Sequence, residues 1–449
     1  MKKKFVLGMA LAMTVILAGC SDGGSAEGSQ AQGSEISESV ETAGSEGASE
    51  SSQGGESGAG KEAAGKNAES GPEGTQQEGT ASAGGNADMG VDESWKALYA
   101  DFLEKNIDAL VGEYEPDWRE GWSFGFIYLN NDPTPELVVS SGYEAAGNII
   151  CTPVDGKVEY LQTARLNFFY KEFGGLLDNS DGNMGYYYDY IYRLGDKGFE
   201  LVHEGNHNEE YDDEGNITAF HYDMDGRDVT KKEYDQTIEE LLPAMQRLFW
   251  ANGCSYDDMM NYLKGNTAKD YREAYRKVIK DGVKGINGDL DRFALIERTN
   301  SDPLLLCAGD QEYCFCSFDD GLLQVGPTTY FSETEFVLVY PGLGLIENTQ
   351  YYENNEMSCA RYYMKEGSLI SNYINAEAKY DSDWNPVLDT AGNPIVTYKI
   401  NSAEVAKEQF DKQLSRYDEI FKQQLVSPKE DYTFIEYSTA IQMYDKLSE

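Results

Sequence analysis

The sequence feature that most constrains the fold is a self-similarity at a spacing of 176 residues, as between Tyr222 and Tyr398. Two amphipathic segments, starting near Trp95 and Tyr271, have the same spacing. Further matches are Val229 with Val405, Tyr234 with Phe410, Asp235 with Asp411 and Ile238 with Leu414. A collinear set of matches indicates an internal repeat. We therefore predict two related domains, residues 91–265 and 266–449.

Each copy has the pattern of a helix, several strands and a second helix. In the first copy, Phe124 to Leu129 alternates as strands do, and Asp155-Gly156 predicts a two-residue hairpin. Thr230 and Glu233 form a capping box before a helical stripe. Short turns between strands favour antiparallel pairing. The predicted fold class is α+β, with two related tandem domains, each an antiparallel β-meander flanked by amphipathic helices.

The start of the chain has the composition of a secretory signal. Three lysines precede an apolar run from Phe5 to Leu17, which is too short to span a bilayer comfortably. The sequence Leu17-Ala18-Gly19-Cys20 at its end resembles the lipobox of bacterial lipoproteins. The resemblance implies a signal peptide over residues 1–19 and a diacylglycerol-type lipid on Cys20. The protein would then face the extracellular side of the cell membrane, anchored by lipid.

Residues 20–90 are rich in Ser, Gly, Glu, Ala and Gln and contain no aromatic residue. Such a segment cannot bury enough apolar surface to fold, so we predict a disordered tether. A flexible chain of this length has a mean end-to-end distance of roughly 45–50 Å. The tether would therefore present the rest of the chain away from the membrane.

The charge of the chain limits its partners. There are 79 acidic and 36 basic residues, which gives a net charge of −43. This balance argues against nucleic acid, because Lys and Arg contacts to phosphates supply most of that affinity. It argues equally against anionic lipid and anionic wall polymers. Neutral or basic partners remain open.

One segment, His203-Glu204-Gly205-Asn206-His207, matches the H-E-x-x-H pattern. In zinc peptidases with that pattern, a helix places both histidines on one face and the glutamate activates water. Gly205 and Asn206 instead favour a turn here, after a strand-like segment. We predict a loop, and we keep a zinc-dependent hydrolase, with His203 and His207 as metal ligands, as an alternative.

Two Asp/Asn-rich segments, residues 130–137 and 178–183, have the residue types of calcium loops. Residues 130–137 resemble a turn of Gram-positive surface proteins, some of which hold calcium. Calcium needs six to eight oxygen ligands, and only Asp132 and Glu136 are ionised here. Residues 178–183 lack the spacing of a calcium helix–loop–helix. We predict a plain turn for both segments and expect neither calcium nor zinc as a cofactor, which leaves the lipid on Cys20.

Four tyrosines alternate along one predicted strand: Tyr186, Tyr188, Tyr190 and Tyr192. The two-residue period of a strand places them on one sheet face. If exposed, the row would suit stacking on sugars or contact with a protein. If a helix covers it, the row would form a tyrosine-rich core. Both alternatives stay open, and these tyrosines are the candidate ligand-binding residues.

After Cys20, six cysteines remain: Cys151, Cys254, Cys307, Cys314, Cys316 and Cys359. An even number outside the cytoplasm permits disulfides, but spacing alone cannot establish pairing. Four of them, Cys151, Cys307, Cys314 and Cys316, lie among strand-type apolar residues, where a thiol can simply pack. The Cys314-Phe-Cys316 pair alone is a weak metal signal.

The globular part resembles a group of Gram-positive cell-surface lipoproteins that have no assigned activity. The shared features are the lipobox, the polar tether, the turn at residues 131–137, Gly215-Asn216 and the helix start at residues 229–234. The resemblance implies placement and repeat architecture. We therefore predict a membrane-anchored lipoprotein whose tandem non-enzymatic domains bind an extracellular glycan or protein. The alternatives are the zinc-dependent hydrolase and an accessory or sensor subunit of a membrane complex.

Overall fold

The structure is a computed structural model that describes residues 93–111, 121–183, 185–212, 217–331, 335–381, 384–429 and 435–449. The predicted signal peptide, the lipidated Cys20 and the predicted tether lie outside the described residues, so they stay predictions. Within the described ranges, no helix combines the length and the apolar character needed to cross a membrane.

The described chain is a mixed α+β structure in which the strands pair mainly antiparallel. Up to residue 263 the elements are α1 (Ser94–Val111), β1 (Ser123–Ile127), β2 (Glu136–Ser140), β3 (Asn148–Val154), β4 (Lys157–Gln162), β5 (Phe169–Tyr170), β6 (Leu176–Asn183), β7 (Tyr186–Gly195), β8 (Gly198–Tyr211), β9 (Ile217–Met224), β10 (Arg227–Val229), α2 (Lys231–Leu241), β11 (Leu248–Gly253) and α3 (Tyr256–Leu263). From residue 271 they are α4 (Tyr271–Asp281), β12 (Val283–Lys284), β13 (Asp289–Leu290), β14 (Arg292–Arg298), β15 (Ser301–Ala308), β16 (Glu312–Asp319), β17 (Leu322–Val325), β18 (Thr329–Tyr330), β19 (Glu335–Tyr340), β20 (Leu345–Tyr351), β21 (Met357–Lys365), β22 (Ser368–Ala378), β23 (Val396–Ile400), β24 (Ala403–Val405), α5 (Lys407–Leu414), β25 (Gln423–Leu425), β26 (Ser438–Thr439) and α6 (Ala440–Lys446).

The strands form two small sheets and one long sheet, besides the β12–β13 pair. One small sheet has the order β1-β2-β3-β4, and the other has the order β17-β16-β15-β14-β26 with β18 beside β16. The long sheet has the order β10-β9-β8-β7-β6-β5-β11-β22-β21-β20-β19-β25, and β23 and β24 extend from β22. Because β11 pairs with both β5 and β22, the long sheet is continuous across the predicted domain boundary.

Two predicted local signals are confirmed. Asp155 (φ 48°) and Gly156 (φ 75°) form the turn between β3 and β4, with the positive φ values that a tight hairpin requires. At the start of α2, the Glu233 N–H donates to Thr230 Oγ1 (3.3 Å) and the Thr230 N–H donates to Glu233 Oε2 (2.9 Å). These reciprocal bonds make the capping box.

Each small sheet packs under a helix that carries a buried tyrosine. The Tyr99 hydroxyl of α1 donates to the carbonyls of Pro135 (2.8 Å) and Cys151 (3.0 Å). The Tyr275 hydroxyl of α4 donates to the carbonyls of Pro303 (2.7 Å) and Cys316 (3.2 Å). Both hydroxyls are thus satisfied in the core, as buried polar groups need to be. They hold each helix in place over the strands below.

The predicted loop at residues 203–207 and the predicted turn at residues 178–183 are wrong. β8 continues through the first segment and pairs with β7 and β9, and β6 includes the whole of the second. Gly, Asn and Asp disfavour strands only weakly compared with the effect of neighbouring strands. A backbone that is paired on both sides has its polar groups satisfied, which outweighs local preference.

Candidate functional site

The four tyrosines of β7 lie on the face of the long sheet opposite α2. Tyr234 of α2 donates its hydroxyl to Asp189 Oδ2 (2.6 Å), and Asp189 alternates with Tyr188 and Tyr190 along the strand. Exposure increases toward the start of β7. The Tyr186 side is open, with this residue 69 % exposed, whereas Tyr192 is half-buried against the core that the first small sheet covers.

The middle of the row is ordered by ring stacking. The rings of Tyr188 and Tyr190 stack with centroids 4.7 Å apart and planes at 24°. The Tyr190 hydroxyl donates to Asn206 Oδ1 at 3.5 Å. The Tyr188 hydroxyl is enclosed and has no hydrogen-bond partner among the described residues. Burial and the nearby Asp181 carboxylate raise the pKa of Tyr188, so its hydroxyl remains a donor at neutral pH.

Polar side chains stand on both sides of this row. In the register of β6, β7 and β8, Tyr186 is opposite Asn183 and Asn208, Tyr188 is opposite Asp181 and Asn206, and Tyr190 is opposite Asn179 and Glu204. Directly opposite residues have Cβ atoms about 4.5–5.5 Å apart. The surface formed by Tyr186, Tyr188, Tyr190, Asn206 and Asn208 is called the tyrosine ledge below. It combines aromatic rings, hydroxyls and amides.

A charged cluster borders the ledge beside β6. Arg165 Nη2 lies 3.1 Å from Glu144 Oε2, and Arg165 Nε lies 3.2 Å from Asp181 Oδ1. The Asn167 N–H also donates to Asp181 Oδ2 (3.3 Å). These contacts fix the loops that carry Glu144 and Arg165 next to Tyr188. The ledge is therefore preorganised on its β6 side and open toward Tyr186.

The residues of the H-E-x-x-H match do not come together. All three lie in β8, where Glu204 points to the opposite face from His203 and His207. Four strand residues span about 13 Å, which is too far for both histidines to bind one ion. The His203 Nδ1 lies 2.9 Å from Asp225 Oδ2 instead. The zinc-hydrolase alternative therefore lacks the helical geometry that it requires.

His207 has a packing role in β8. The His207 ring stacks between the rings of Tyr187 and Tyr222, with centroid distances of 4.8 Å and 5.2 Å. The Tyr234 ring packs edge-on against the His207 ring, with the two centroids 5.7 Å apart. Burial among these rings lowers the pKa of His207, which keeps the imidazole neutral near pH 7. The ring therefore behaves as a part of the aromatic layer under α2.

The Asn/Asp-rich segment before β2 is an Asx turn. The Asp132 N–H donates to Asn130 Oδ1 (3.0 Å) and the Thr134 N–H donates to Asp132 Oδ1 (2.8 Å). Glu136 points into the interior, where its Oε2 accepts from the Leu129 N–H (2.8 Å). Burial raises the pKa of Glu136 to about 8. Asp132 therefore stabilises the turn, whereas Glu136 lies in the core.

Sequence reasoning missed a buried carboxyl pair under α2. Asp178 is fully buried, and neither of its oxygens has a hydrogen-bond partner among the described residues. Burial and the neighbouring Asp189 raise the pKa of Asp178 well above its usual range. The buried Arg247 provides the compensating positive charge nearby. The alternation of β6 places Asp178 on the face opposite Leu177, and its burial there depends on the cover by α2, which no local sequence pattern indicates.

One group of potential metal ligands is present in the described part of the chain. Cys307, Cys314 and Cys316 are buried, and their three Sγ atoms lie within 4.8 Å of one another. The sequence indicated that these thiols pack in strands, which is confirmed. Their proximity depends on the pairing of β15 with β16.

The comparisons with protein families and with curated sequences identify no relative of this chain. No protein-family model matches the chain, and no curated protein sequence matches it. The candidate function is therefore inferred from the geometry and charge of the chain itself.

Proposed function

We propose that this protein is an extracytoplasmic lipoprotein, anchored through Cys20, with tandem non-enzymatic domains of which the first binds a neutral carbohydrate. The observation that carries the proposal is the tyrosine ledge, an aromatic row that is open at Tyr186 and has amides beside it. The lipobox and the polar tether support the placement outside the cell, where polysaccharide ligands are exposed to it.

The chemistry of the ledge suits a sugar. A sugar ring has an apolar C–H face that packs on an aromatic ring, and hydroxyls that need hydrogen-bond partners at its edge. Tyr186 offers an exposed ring, and Asn206 and Asn208 offer amides that both donate and accept. Because Tyr188 and Tyr190 cover each other's facing sides, the exposed ring of Tyr186 is the stacking position.

Charge favours a neutral ligand over an anionic one. The chain carries a net charge of −43, and Asp181, Glu144 and Glu204 lie beside the ledge. The acidic protein would repel an anionic polysaccharide as the polysaccharide approaches the ledge. Uncharged hexose or N-acetylhexosamine polymers would meet no such barrier. We therefore assign the ligand to the neutral glycans.

The tandem arrangement of the proposal is supported by matching topology. The order β10-β9-β8-β7-β6-β5-β11 corresponds to β24-β23-β22-β21-β20-β19-β25. Val229 pairs with Tyr222, and Val405 pairs with Tyr398 in the same way. Tyr99 and Tyr275 make equivalent pairs of hydrogen bonds to carbonyls. Tyr99, Tyr222 and Val229 of the first copy are each 176 positions before their counterparts Tyr275, Tyr398 and Val405.

The ledge is confined to the first copy on this correspondence. Aligning Tyr222 with Tyr398 through the paired strands places Ser358 and Ala360 where the first copy has Tyr188 and Tyr190. The second copy therefore lacks the aromatic row. We expect one glycan site per chain, on the first copy.

The test is glycan binding by the full-length protein purified in detergent. A panel of neutral gluco-, manno- and N-acetylglucosamine oligosaccharides is screened by thermal shift, where a ligand at about 100 times its Kd adds about 2.7 kcal/mol of stability. Tyr186→Ala removes the exposed ring and should weaken the best ligand roughly tenfold, because stacking contributes on the order of 1 kcal/mol or more. Asn206→Ala should weaken it as well.

The matched control is Tyr351→Ala, which removes a tyrosine of similar exposure (61 %) from β20 in the second copy. This variant should bind like the wild type. The proposal fails if no neutral glycan stabilises the protein, or if Tyr186→Ala and Tyr351→Ala weaken binding equally. Preferential binding of anionic glycans would also contradict it, since it reverses the expected effect of charge.

A further inference from the structure

The inference concerns the three buried thiols between α4 and the second small sheet. Cys307 of β15 is directly opposite Cys314 of β16, and Cys316 lies two residues further along the same strand face. The Sγ atoms of Cys307 and Cys316 are 3.9 Å apart, and all three sulfurs lie within 4.8 Å of one another. The two strands thus hold three sulfurs in a compact triangle.

We propose that Cys307, Cys314 and Cys316 form a binding site for one soft metal ion of the Cu(I) type. An ion bound to three thiolates at about 2.3 Å places the sulfurs roughly 3.8–4.0 Å apart. The observed separation of 3.9 Å between Cys307 and Cys316 already has this value. Soft thiolate ligands select Cu(I) over hard cations such as calcium or magnesium.

The surroundings of the triangle favour a soft ion with few ligands. The sulfurs belong to an apolar cluster that includes Phe293 and Met443, both of them buried. Such a cluster excludes water, so an ion held there would take its ligands from the protein. Structural zinc sites are almost always four-coordinate, whereas three thiolates suffice for Cu(I). The thioether of Met443 is a soft group in the same cluster.

Packing alone does not require three thiols at these positions. The proposed correspondence between the halves aligns Tyr99 with Tyr275. It places Val139, Ile149 and Cys151 of the first copy at the positions of Cys307, Cys314 and Cys316, in that order. Those three residues are buried under α1 in the same way. The fold therefore accepts an apolar core at this place, and the second copy replaces two aliphatic side chains with thiols.

The experiment uses the full-length protein in detergent, reduced and kept free of oxygen. Cu(I) is delivered from the chelator bicinchoninate, and copper bound per chain and thiolate-to-copper absorption in the near ultraviolet are measured. We expect one Cu(I) per chain. Cys307→Val and Cys314→Ile, which introduce the residues of the first copy, should each weaken binding at least about 100-fold, because even supporting residues of metal sites contribute 10–100-fold.

The control is Cys151→Val, which removes the lone buried thiol at the corresponding position of the first copy and should leave copper binding unchanged. Circular dichroism shows whether each variant folds. X-ray absorption of the copper-loaded wild type provides a measurement that needs no variant, with three sulfur neighbours expected at about 2.3 Å.

Three results would overturn the proposal. The first is equal copper affinity of the wild type and Cys307→Val, or a loss of copper binding in Cys151→Val as large as the loss in Cys307→Val. The second is a copper environment of nitrogen or oxygen neighbours. The third is a disulfide within the trio in protein isolated from membranes, because it would leave fewer than three thiolates for the ion.

Discussion

The buried carboxyl of Glu136 predicts an unusual dependence of stability on pH. Glu136 is 1 % exposed and accepts a hydrogen bond from the Leu129 N–H. Burial, the largest cause, raises its pKa from an ordinary value of 4.5 to about 8. The folded protein therefore prefers the protonated side chain over a pH range in which the unfolded chain is already ionised.

The direction and size of the effect follow from this difference. The favourable contribution of Glu136 is fully present below pH 4.5 and is lost as the pH rises through about 8. The full loss corresponds to about 5 kcal/mol, at about 1.4 kcal/mol for each tenfold change in proton affinity. Glu136→Gln keeps one acceptor and adds a donor, and it carries no charge. The variant should therefore be more stable than the wild type at pH 8 and differ little at pH 5.

Thermal unfolding between pH 5 and pH 9, followed by near-ultraviolet circular dichroism, measures this. The described chain has more than 300 residues joined by one continuous sheet, so its Tm should shift by about 1–2 °C per kcal/mol, and the wild type should lose roughly 5–10 °C relative to Glu136→Gln across this range. Asp155→Asn, in the exposed hairpin turn between β3 and β4, controls for a general change of net charge, because Asp155 is not among the groups that raise the pKa of Glu136. Parallel curves for the wild type and Glu136→Gln would refute the reasoning.

Three further predictions concern the core and a helix cap, and urea unfolding measures each. Tyr99→Phe and Tyr275→Phe should each cost about 0.5–1.5 kcal/mol, because each removes the buried hydrogen bonds of a tyrosine hydroxyl; a negligible cost in both would contradict this. Arg361→Met should cost about 3–5 kcal/mol by leaving Glu347 buried and unpaired, and adding Glu347→Gln should recover part of the loss. Thr230→Ala should cost about 1 kcal/mol through the lost cap of α2.

Features that depend on a few neighbouring residues were predictable from the sequence. The hairpin at Asp155-Gly156 and the capping box at Thr230 each need only one turn of backbone, so residue type decides them. The helical stripe that starts near Trp95 was likewise found as α1. The two-residue period also predicted the common face of the β7 tyrosines, because that period is a property of any strand.

Features that depend on distant partners were not predictable in the same way. The segment from His203 to His207 has residues that favour a turn, yet β7 and β9 pair with it on both sides. Whether the β7 tyrosines are open or covered depended on which sheet face α2 selects, and Tyr234 reaching Asp189 decides that. The triangle of thiols depends on the register of β15 with β16. None of these pairings is encoded in a local pattern.

The junction between the two halves shows the same limit most directly. The Phe124 N–H donates to the Cys254 carbonyl (2.9 Å) and the Cys254 N–H donates to the Phe124 carbonyl (2.7 Å). A Cβ on Gly253 would lie 2.2 Å from the Phe124 carbonyl oxygen, so only glycine permits this approach. Ser368 of the second half then accepts from Trp250 Nε1 (2.9 Å) and donates to the Phe126 carbonyl (2.8 Å). The predicted repeat boundary is therefore crossed by buried hydrogen bonds of Ser368 and by the pairing of β11 with β22, which no local pattern of either segment encodes.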